Sequence, residues 1–243
     1  MKAIGIIPAR YNSSRLPGKP LADIQGKPMI QWVWESARRA NVLDRLLIAT
    51  DDKRIEEAAI DFGAEVVMTS ENCQNGTERV QEAFDSIQED YDVIVNIQGD
   101  EPFVSSEHLN KITQLFDNEQ IEIGSLYKNL NDKELFHAPS TVKVVCSENG
   151  KALYFSRSAI PHSRESEDHL FKKHIGLYAY RPSTLEALVK LAPGKLEQLE
   201  MLEQLRWLEH GFDVFLAEVF EESISVDTEI DLKRAREIAV DYL

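Results

Sequence analysis

The sequence predicts an α/β protein organised around a mostly parallel sheet, and three observations lead there. Short runs apolar on both faces alternate with segments of helical period. Apolar residues suffice for a large core, at 43% of 243 residues. Neither a cysteine framework nor a membrane-length apolar run competes with that reading. A chain of this length suits one large domain, or one domain carrying a lobe.

The first run is Ala3 to Ile7. A helix-period stretch from Met29 to Ala40 follows, then Arg45 to Ala49, a helix from Asp52 to Phe62, Glu65 to Met68, a helix from Thr77 to Ile87, and Val93 to Ile97. This is a βαβαβ rhythm, and strands with no polar face belong in a parallel sheet covered by helices. Thr50 closes one run, and Asp51-Asp52 behind it read as a helix cap, with acids at the positive end of the helix dipole. After residue 120 the rhythm changes. Val142 to Cys146 and Ala152 to Ser156 flank an Asn149-Gly150 turn and read as a hairpin. His162 to His169 is polar and aperiodic, a loop. Ile175 to Tyr180 reads as a strand, Pro182 to Ala192 as a helix, and Glu197 to His210 as one further helix bounded by Gly211. The chain closes with a strand from Val214 to Val219, the segment Ser223 to Asp227, and a helix from Ile230 to Tyr242 capped by Thr228. Without repeats or a linker, the economical organisation is one doubly wound domain, 1–243, with a smaller inserted lobe at about residues 125–200. Trp32, Trp34 and Trp207 are assigned to core or a subunit interface.

With 27 Lys+Arg against 42 Asp+Glu the formal charge is −15, which repels a phosphate backbone and argues against nucleic-acid binding. Cys73 and Cys146 are the two cysteines, with no zinc spacing around them. No apolar run approaches the roughly 20 residues of a membrane span, and the first residues enter a strand pattern too soon for a signal peptide. The expectation is a cytoplasmic protein without membrane insertion. Two Asn-x-Ser/Thr patterns, at Asn12 and Asn75, are discarded accordingly.

Open parallel sheets bind ligands beyond the carboxyl ends of their strands. Behind the first strand lies a loop with three cations, Arg10, Arg15 and Lys19, conspicuous in so acidic a chain and suited to a polyphosphate. It is neither a P-loop nor a dinucleotide fingerprint. Behind Val93 to Ile97 comes Gln98-Gly99-Asp100-Glu101-Pro102, a carboxylate at a strand end, and Asp227 follows a late segment. Two separated acids converging on one ion would suit metal-bridged phosphoryl chemistry, while a plain turn accounts for Asp100 and a helix cap for Asp227.

Seven blocks carry a resemblance. They are Ile7-Pro8-Ala9-Arg10 through Ser14-Arg15-Leu16-Pro17-Gly18-Lys19-Pro20-Leu21; Asn75-Gly76-Thr77-Glu78-Arg79; Val95 through Pro102; Ala152-Leu153-Tyr154-Phe155-Ser156-Arg157; His174-Ile175-Gly176-Leu177-Tyr178; Leu202-Glu203-Gln204-Leu205-Arg206; and Val226-Asp227-Thr228. Together, nearly end to end, the chain resembles the 3-deoxy-manno-octulosonate cytidylyltransferases, or CMP-Kdo synthetases. The resemblance implies a Rossmann-like nucleotidyltransferase domain with a smaller dimerisation lobe. It also implies a Mg²⁺-dependent homodimer that joins CTP to Kdo and releases pyrophosphate, for lipopolysaccharide synthesis.

By position, the resemblance implies that Arg10, Arg15 and Lys19 hold the CTP phosphates. Asp100 and Asp227 would hold Mg²⁺, and Asp100 would count with the three cations as catalytic. Ala9, Gly76 and Arg79 would read cytosine, and Gln98 would lie near the ribose or the sugar. Arg157, His174, Tyr178, Glu203 and Gln204 would line the Kdo pocket. No side-chain nucleophile is required of an in-line displacement driven by positioning and charge.

Three segments depart from the family pattern. Cys73-Gln74-Asn75 stands where His-x-Ser is usual, Ser140-Thr141-Val142-Lys143 where Asn-x-Val-Lys is common, and Gln198 stands near where the family commonly has a His or Pro. An 8-amino-3,8-dideoxy analogue of Kdo therefore stays open as substrate. CMP-sialic acid synthesis, a glucose-type nucleotidyltransferase, a glycosyltransferase and a non-catalytic CTP-binding relative are the other readings.

Overall fold

The computed structural model describes residues 1–12, 16–164, 169–222 and 224–242. They fall into two compact units, one formed by Met1–Asn110 with Glu222–Leu243, the other by Lys111–Glu221.

In the first unit, β1 (Ala3–Ala9) is apolar on both faces and almost wholly buried. A small antiparallel pair, β2 (Asp23–Ile24) and β3 (Lys27–Pro28), leads into α1 (Met29–Arg38). Then come β4 (Arg45–Thr50), α2 (Lys53–Asp61), β5 (Glu65–Met68), α3 (Gly76–Asp85) and β6 (Val93–Asn96), and α4 (Ser106–Gln114) leads the chain out of the unit. β1 lies between β4 and β6, with β5 beyond β4, and every pairing is parallel. The chain moves from β1 to one side through β4 and β5, then returns to the other side for β6. That reversal opens a crevice beyond the carboxyl ends of β1 and β6, the place where such sheets receive ligands.

The second unit contains β7 (Ile123–Leu130), α5 (Lys133–His137), β8 (Lys143–Cys146), β9 (Ala152–Ser156), β10 (Phe171–Tyr180), α6 (Pro182–Leu188), α7 (Lys195–Glu200), α8 (Gln204–Glu209) and β11 (Val214–Glu218). β7 pairs antiparallel with β10 and parallel with β11, while β8 joins β10 to β9 by antiparallel ladders. The β8–β9 hairpin closes at Gly150, whose φ of 85° suits glycine, with Ser147 N donating to Lys151 O at 2.8 Å. Trp207 packs edge-on against Tyr178 and Tyr180, at 5.1 and 5.7 Å between centroids. The chain ends, back in the first unit, with α9 (Glu229–Ala239) and a 3-10 turn at Val240–Tyr242.

Trp32, Met29, Phe103, Val226, Leu232, Ala235 and Ala239 form one cluster in which α1 and α9 bury their apolar faces in the first unit. Trp32 Nε1 donates to Ile24 O at 2.8 Å, satisfying its only donor. All three tryptophans are buried within this chain, so they are core.

Several elements differ from the sequence reading. The helix expected over Glu197 to His210 is two helices, α7 and α8, broken at Met201 with φ 53° and ψ 50°. Arg157 causes the break chemically. Its Nε donates to Glu200 O at 2.8 Å and its Nη2 to Met201 O at 3.3 Å, taking carbonyls that a continuous helix would use. The Pro182 helix stops at Leu188 rather than Ala192. The segment before Thr228, to which the sequence assigns no element, is irregular among its described residues, and Val226 N donates to Asp100 O at 2.8 Å. Of the polar loop expected at His162 to His169, residues 165–168 lie outside the described ones; the others are irregular. β7, α4 and α5 had no assignment from periodicity.

Candidate active site

The carboxyl ends of β1 and β6 line a cleft of about 360 Å³. Pro8, Ala9 and Arg10 come from the end of β1, Gln98, Gly99 and Asp100 from behind β6, Cys73 to Gly76 and Arg79 from the start of α3, Lys19 and Pro20 from the first loop, and Asp227 from just before α9. Three cations, Arg10, Lys19 and Arg79, and two carboxylates, Asp100 and Asp227, face it, which gathers donors for an anion and acids for a cation on a chain of net charge −15.

Backbone shape places these groups. A Cβ on Gly99 would meet Pro8 O at 2.6 Å, so only glycine lets the β6 loop approach the end of β1. Gly18 adopts φ 69°, and a Cβ there would press on the Tyr11 ring at 3.1 Å. This left-handed residue starts the 3-10 turn Lys19–Leu21 and aims Lys19 into the cleft. Lys19 Nζ donates to Asp100 Oδ2 at 2.7 Å and Asp227 Oδ1 at 3.1 Å. Two acids 127 residues apart in sequence thus meet at one point, although Asp100 does sit in a turn, with Glu101 N donating to Gln98 O at 3.2 Å, and Asp227 does adjoin a helix cap. The cap of α9 is Thr228, whose hydroxyl accepts from Asp231 N at 3.3 Å. Burial opposes ionisation of Asp231, yet hydrogen bonds from the Thr228 hydroxyl and from the backbone of Asp227 and Thr228 hold its carboxyl below the usual range. The segment carrying Asp227 is fixed as a result.

Two carboxylate oxygens held around one positive charge fit a hard divalent cation that completes its shell with phosphate oxygens and water. Among the described residues no group of three His, Cys, Asp or Glu side chains is placed to hold a metal, so the pair would rely on the substrate for its remaining ligands.

Arg79 is 3% exposed. Its guanidinium donates to Asp51 Oδ2 at 2.7 Å and to Thr69 Oγ1 at 2.5 Å. The cap reading of Asp51-Asp52 therefore divides. Asp52 caps α2, accepting from Arg54 N at 2.9 Å, whereas Asp51 is committed to Arg79. Asn75 caps α3, its Oδ1 accepting from Glu78 N at 2.8 Å. Serine and asparagine are both good caps, so the start of α3 accommodates the asparagine that stands where the family usually has serine. A Cβ on Gly76 would make only ordinary contact with Pro8, at 3.4 Å. Cys73 also lines the cleft, but burial and its hydrogen bond to Glu82 push the thiol up to about 12, so it stays protonated and is no nucleophile at neutral pH.

Arg10 is exposed in the cleft wall, and Gln98 Nε2 lies 3.5 Å from Asn96 Oδ1. Arg15 lies outside the described residues. Arg157, His174, Tyr178, Glu203 and Gln204 belong to the second unit and none lines this cleft. Within that unit Arg157 follows β9, and besides the bonds at the helix break it donates from Nη1 to Pro139 O at 3.0 Å. His174 is buried in β10, its Nε2 2.9 Å from Ser125 Oγ and its ring 4.9 Å from Phe155 and 5.5 Å from Tyr178. Desolvation lowers its pKa to about 3, so the imidazole is neutral. Burial raises the Tyr178 hydroxyl well above 10. Glu203 precedes α8 and buried Gln204 opens it. Of the cleft residues, Pro8, Pro20, Cys73, Gln74 and Gly99 have no individual role in the sequence reading. The signal for Gly99 was its place behind a buried strand.

The sequence model of the family described as Cytidylyltransferase matches residues 4–224. A 3-deoxy-manno-octulosonate cytidylyltransferase of Parabacteroides distasonis is 48% identical, covering 97% of each chain. The solved structure of a CMP:2-keto-3-deoxy-manno-octonic acid synthetase complexed with CTP superposes with a TM-score of 0.94 at 39% identity over 100% of both chains. A 4-diphosphocytidyl-2C-methyl-D-erythritol synthase from Anaerococcus prevotii, 12% identical over 98% of this chain and 99% of its own, shares the fold at a TM-score of 0.65. Identity at this level over the whole length means that this chain belongs to the 3-deoxy-manno-octulosonate cytidylyltransferase family.

Proposed function

We propose that this protein transfers CMP from CTP to 3-deoxy-manno-octulosonate, releasing pyrophosphate, and so supplies the activated sugar for lipopolysaccharide synthesis. The observation that carries the reading is the meeting of Lys19, Asp100 and Asp227 in a cation-rich cleft at the switch point of the sheet. Full-length relatives bearing that enzyme's name support the choice of substrates.

Arg10 and Lys19 neutralise the triphosphate, and Lys19 follows the charge that accumulates on pyrophosphate as it leaves. Arg15 shares that work by position. Ala9 and Gly76 offer backbone to the base, and Arg79 offers N–H donors. Gln98 lies between nucleotide and sugar. Arg157, His174, Tyr178, Glu203 and Gln204 form the sugar side. Asp100 and Asp227 would hold Mg²⁺, which when bound polarises phosphoryl oxygens and eases loss of the attacking hydroxyl's proton. The sugar hydroxyl attacks the α-phosphorus in line, the bond to pyrophosphate breaks, and no covalent enzyme intermediate forms. An in-line displacement requires no side-chain nucleophile, so rate comes from alignment and from charge held in place.

The protein works as a cytoplasmic homodimer in this reading. No helix among the described residues is long and apolar enough to cross a membrane. Leu199 and Met201, 80% and 76% exposed, offer apolar surface on the second unit for a subunit contact.

Pyrophosphate release with CTP and Mg²⁺ tests the reading, run with Kdo, its 8-amino analogue and sialic acid in parallel. Turnover with Kdo is expected. Preference for the 8-amino sugar would keep the mechanism and change the substrate, preference for sialic acid would replace the sugar class, and no release with any would leave a CTP-binding relative.

A further inference from the structure

Among the cations of the cleft, Arg79 is distinguished by its fixity. Its side chain is 3% exposed, and its guanidinium is held on one side by Asp51 at 2.7 Å and on another by Thr69 Oγ1 at 2.5 Å, with Ser70 O at 3.5 Å. Asp51 is itself largely buried, at 17%, and is not one of the cleft residues. It comes from the end of β4, Arg79 from α3, and Thr69 and Ser70 from the stretch behind β5. Two segments, the end of β4 and the stretch behind β5, thus converge on a guanidinium carried by a third, α3, and hold it in one orientation.

Pairing with one carboxylate cancels the charge of Arg79 without removing its donors. Such a group is poorly suited to neutralise phosphate and well suited to a neutral ring with acceptor atoms. Cytosine presents O2 and N3 as adjacent acceptors, whereas uracil presents a donor at N3–H. Arginine carries donors alone, so a guanidinium at that edge satisfies cytosine and opposes uracil. The discrimination depends on the guanidinium staying still, because a mobile one would turn another N–H away from the clash. A site built to hydrogen-bond one partner rejects the mismatched one strongly, since the buried donor is left unpaired.

We infer that Asp51 is a positioning residue for base selection: by fixing Arg79 it sets the preference for cytosine over uracil nucleotides. The inference rests on the proposed use of CTP and goes beyond it by naming what enforces the choice. Asp51 reaches the nucleotide only through Arg79.

The test is Asp51→Asn, with Thr69→Val as a second variant that loosens the same guanidinium from its other side and keeps the ion pair. CTP and UTP binding is measured by titration calorimetry without sugar, and kcat and KM for CTP, UTP and Kdo are measured where the variant turns over. The expected result for Asp51→Asn is a fall of at least tenfold in the CTP-to-UTP affinity ratio, a raised KM for CTP and a KM for Kdo within twofold of the wild type. Thr69→Val moves the same quantities in the same direction by less. An unchanged CTP-to-UTP ratio in both folded variants, with only the melting temperature lowered, would overturn the inference and leave a structural ion pair. If Asp51→Asn does not fold, Thr69→Val decides by the same ratio. A wild type that binds CTP over UTP but turns over no sugar would count against the proposed reaction alone, while one that binds the two alike would overturn the inference.

Discussion

At the scale of single residues, the site uses few groups, and each is placed by something other than its own side chain. Asp100 meets Asp227 because the backbone N–H of Val226 is bonded to Asp100 O, and Lys19 is aimed by the left-handed Gly18. Asp100→Asn keeps the shape and removes the charge. It should lower kcat by more than about 100-fold if the carboxylate stabilises charge developing in the transition state. Steady-state pyrophosphate release with circular dichroism as the folding control measures this, and wild-type turnover would take Asp100 out of the mechanism. Lys19, Asp100 and Asp227 were legible in the sequence as cations and acids behind strands. Asp51 was not, because acids ahead of a helix are commonplace and its partner lies 28 residues further on.

At the scale of elements, short-range chemistry accounts for most boundaries. Asn75, Asp52, Asp132 and Thr228 each accept from a backbone N–H of the first helical turn. Because Asn75 serves as a cap, Asn75→Ala should destabilise the protein by about 1 kcal/mol and Asn75→Ser by far less. Urea denaturation monitored by far-ultraviolet circular dichroism separates the two, and equal losses would mean that the amide does something besides capping. The split of α7 from α8 escaped the periodicity because both halves keep a helical pattern. The break comes from Arg157, more than forty residues earlier, and no window of local sequence contains it.

At the scale of the whole molecule, stability depends on groups buried in a particular charge state. His174 is neutral when folded, its pKa lowered from 6.5 to about 3 by desolvation, and the unfolded chain takes up a proton that the folded one refuses. Folding is therefore favoured fully above about pH 6.5, and this contribution is lost progressively as the pH falls towards 3. The slope approaches about 1.4 kcal/mol per pH unit for one proton. Burial opposes ionisation of Glu197 and Glu200, but hydrogen bonds with Arg206, Ser156 and Arg157 outweigh it and hold both carboxyls below their ordinary range, so their loss adds at lower pH. Between pH 7 and 5 the histidine should dominate. Denaturant midpoints of wild type and His174→Asn over that range test it, the variant being expected to show the flatter profile, and parallel profiles would assign the loss to other groups.

By itself the sequence determined the alternation of buried strands and helices, the hairpin at Asn149-Gly150, the caps at Asp52 and Thr228, and the cations and acids of the cleft. These follow from apolar periodicity and from residue types whose preferences act over a few positions. Only the tertiary structure decided that Asp100 and Asp227 share one ammonium, that Asp51 belongs to Arg79 and that Arg157 divides a helix. Each is a contact between segments far apart in the chain. Buried charges and open carbonyls find whichever partner the fold brings within hydrogen-bond distance, and local preference carries no information about that partner.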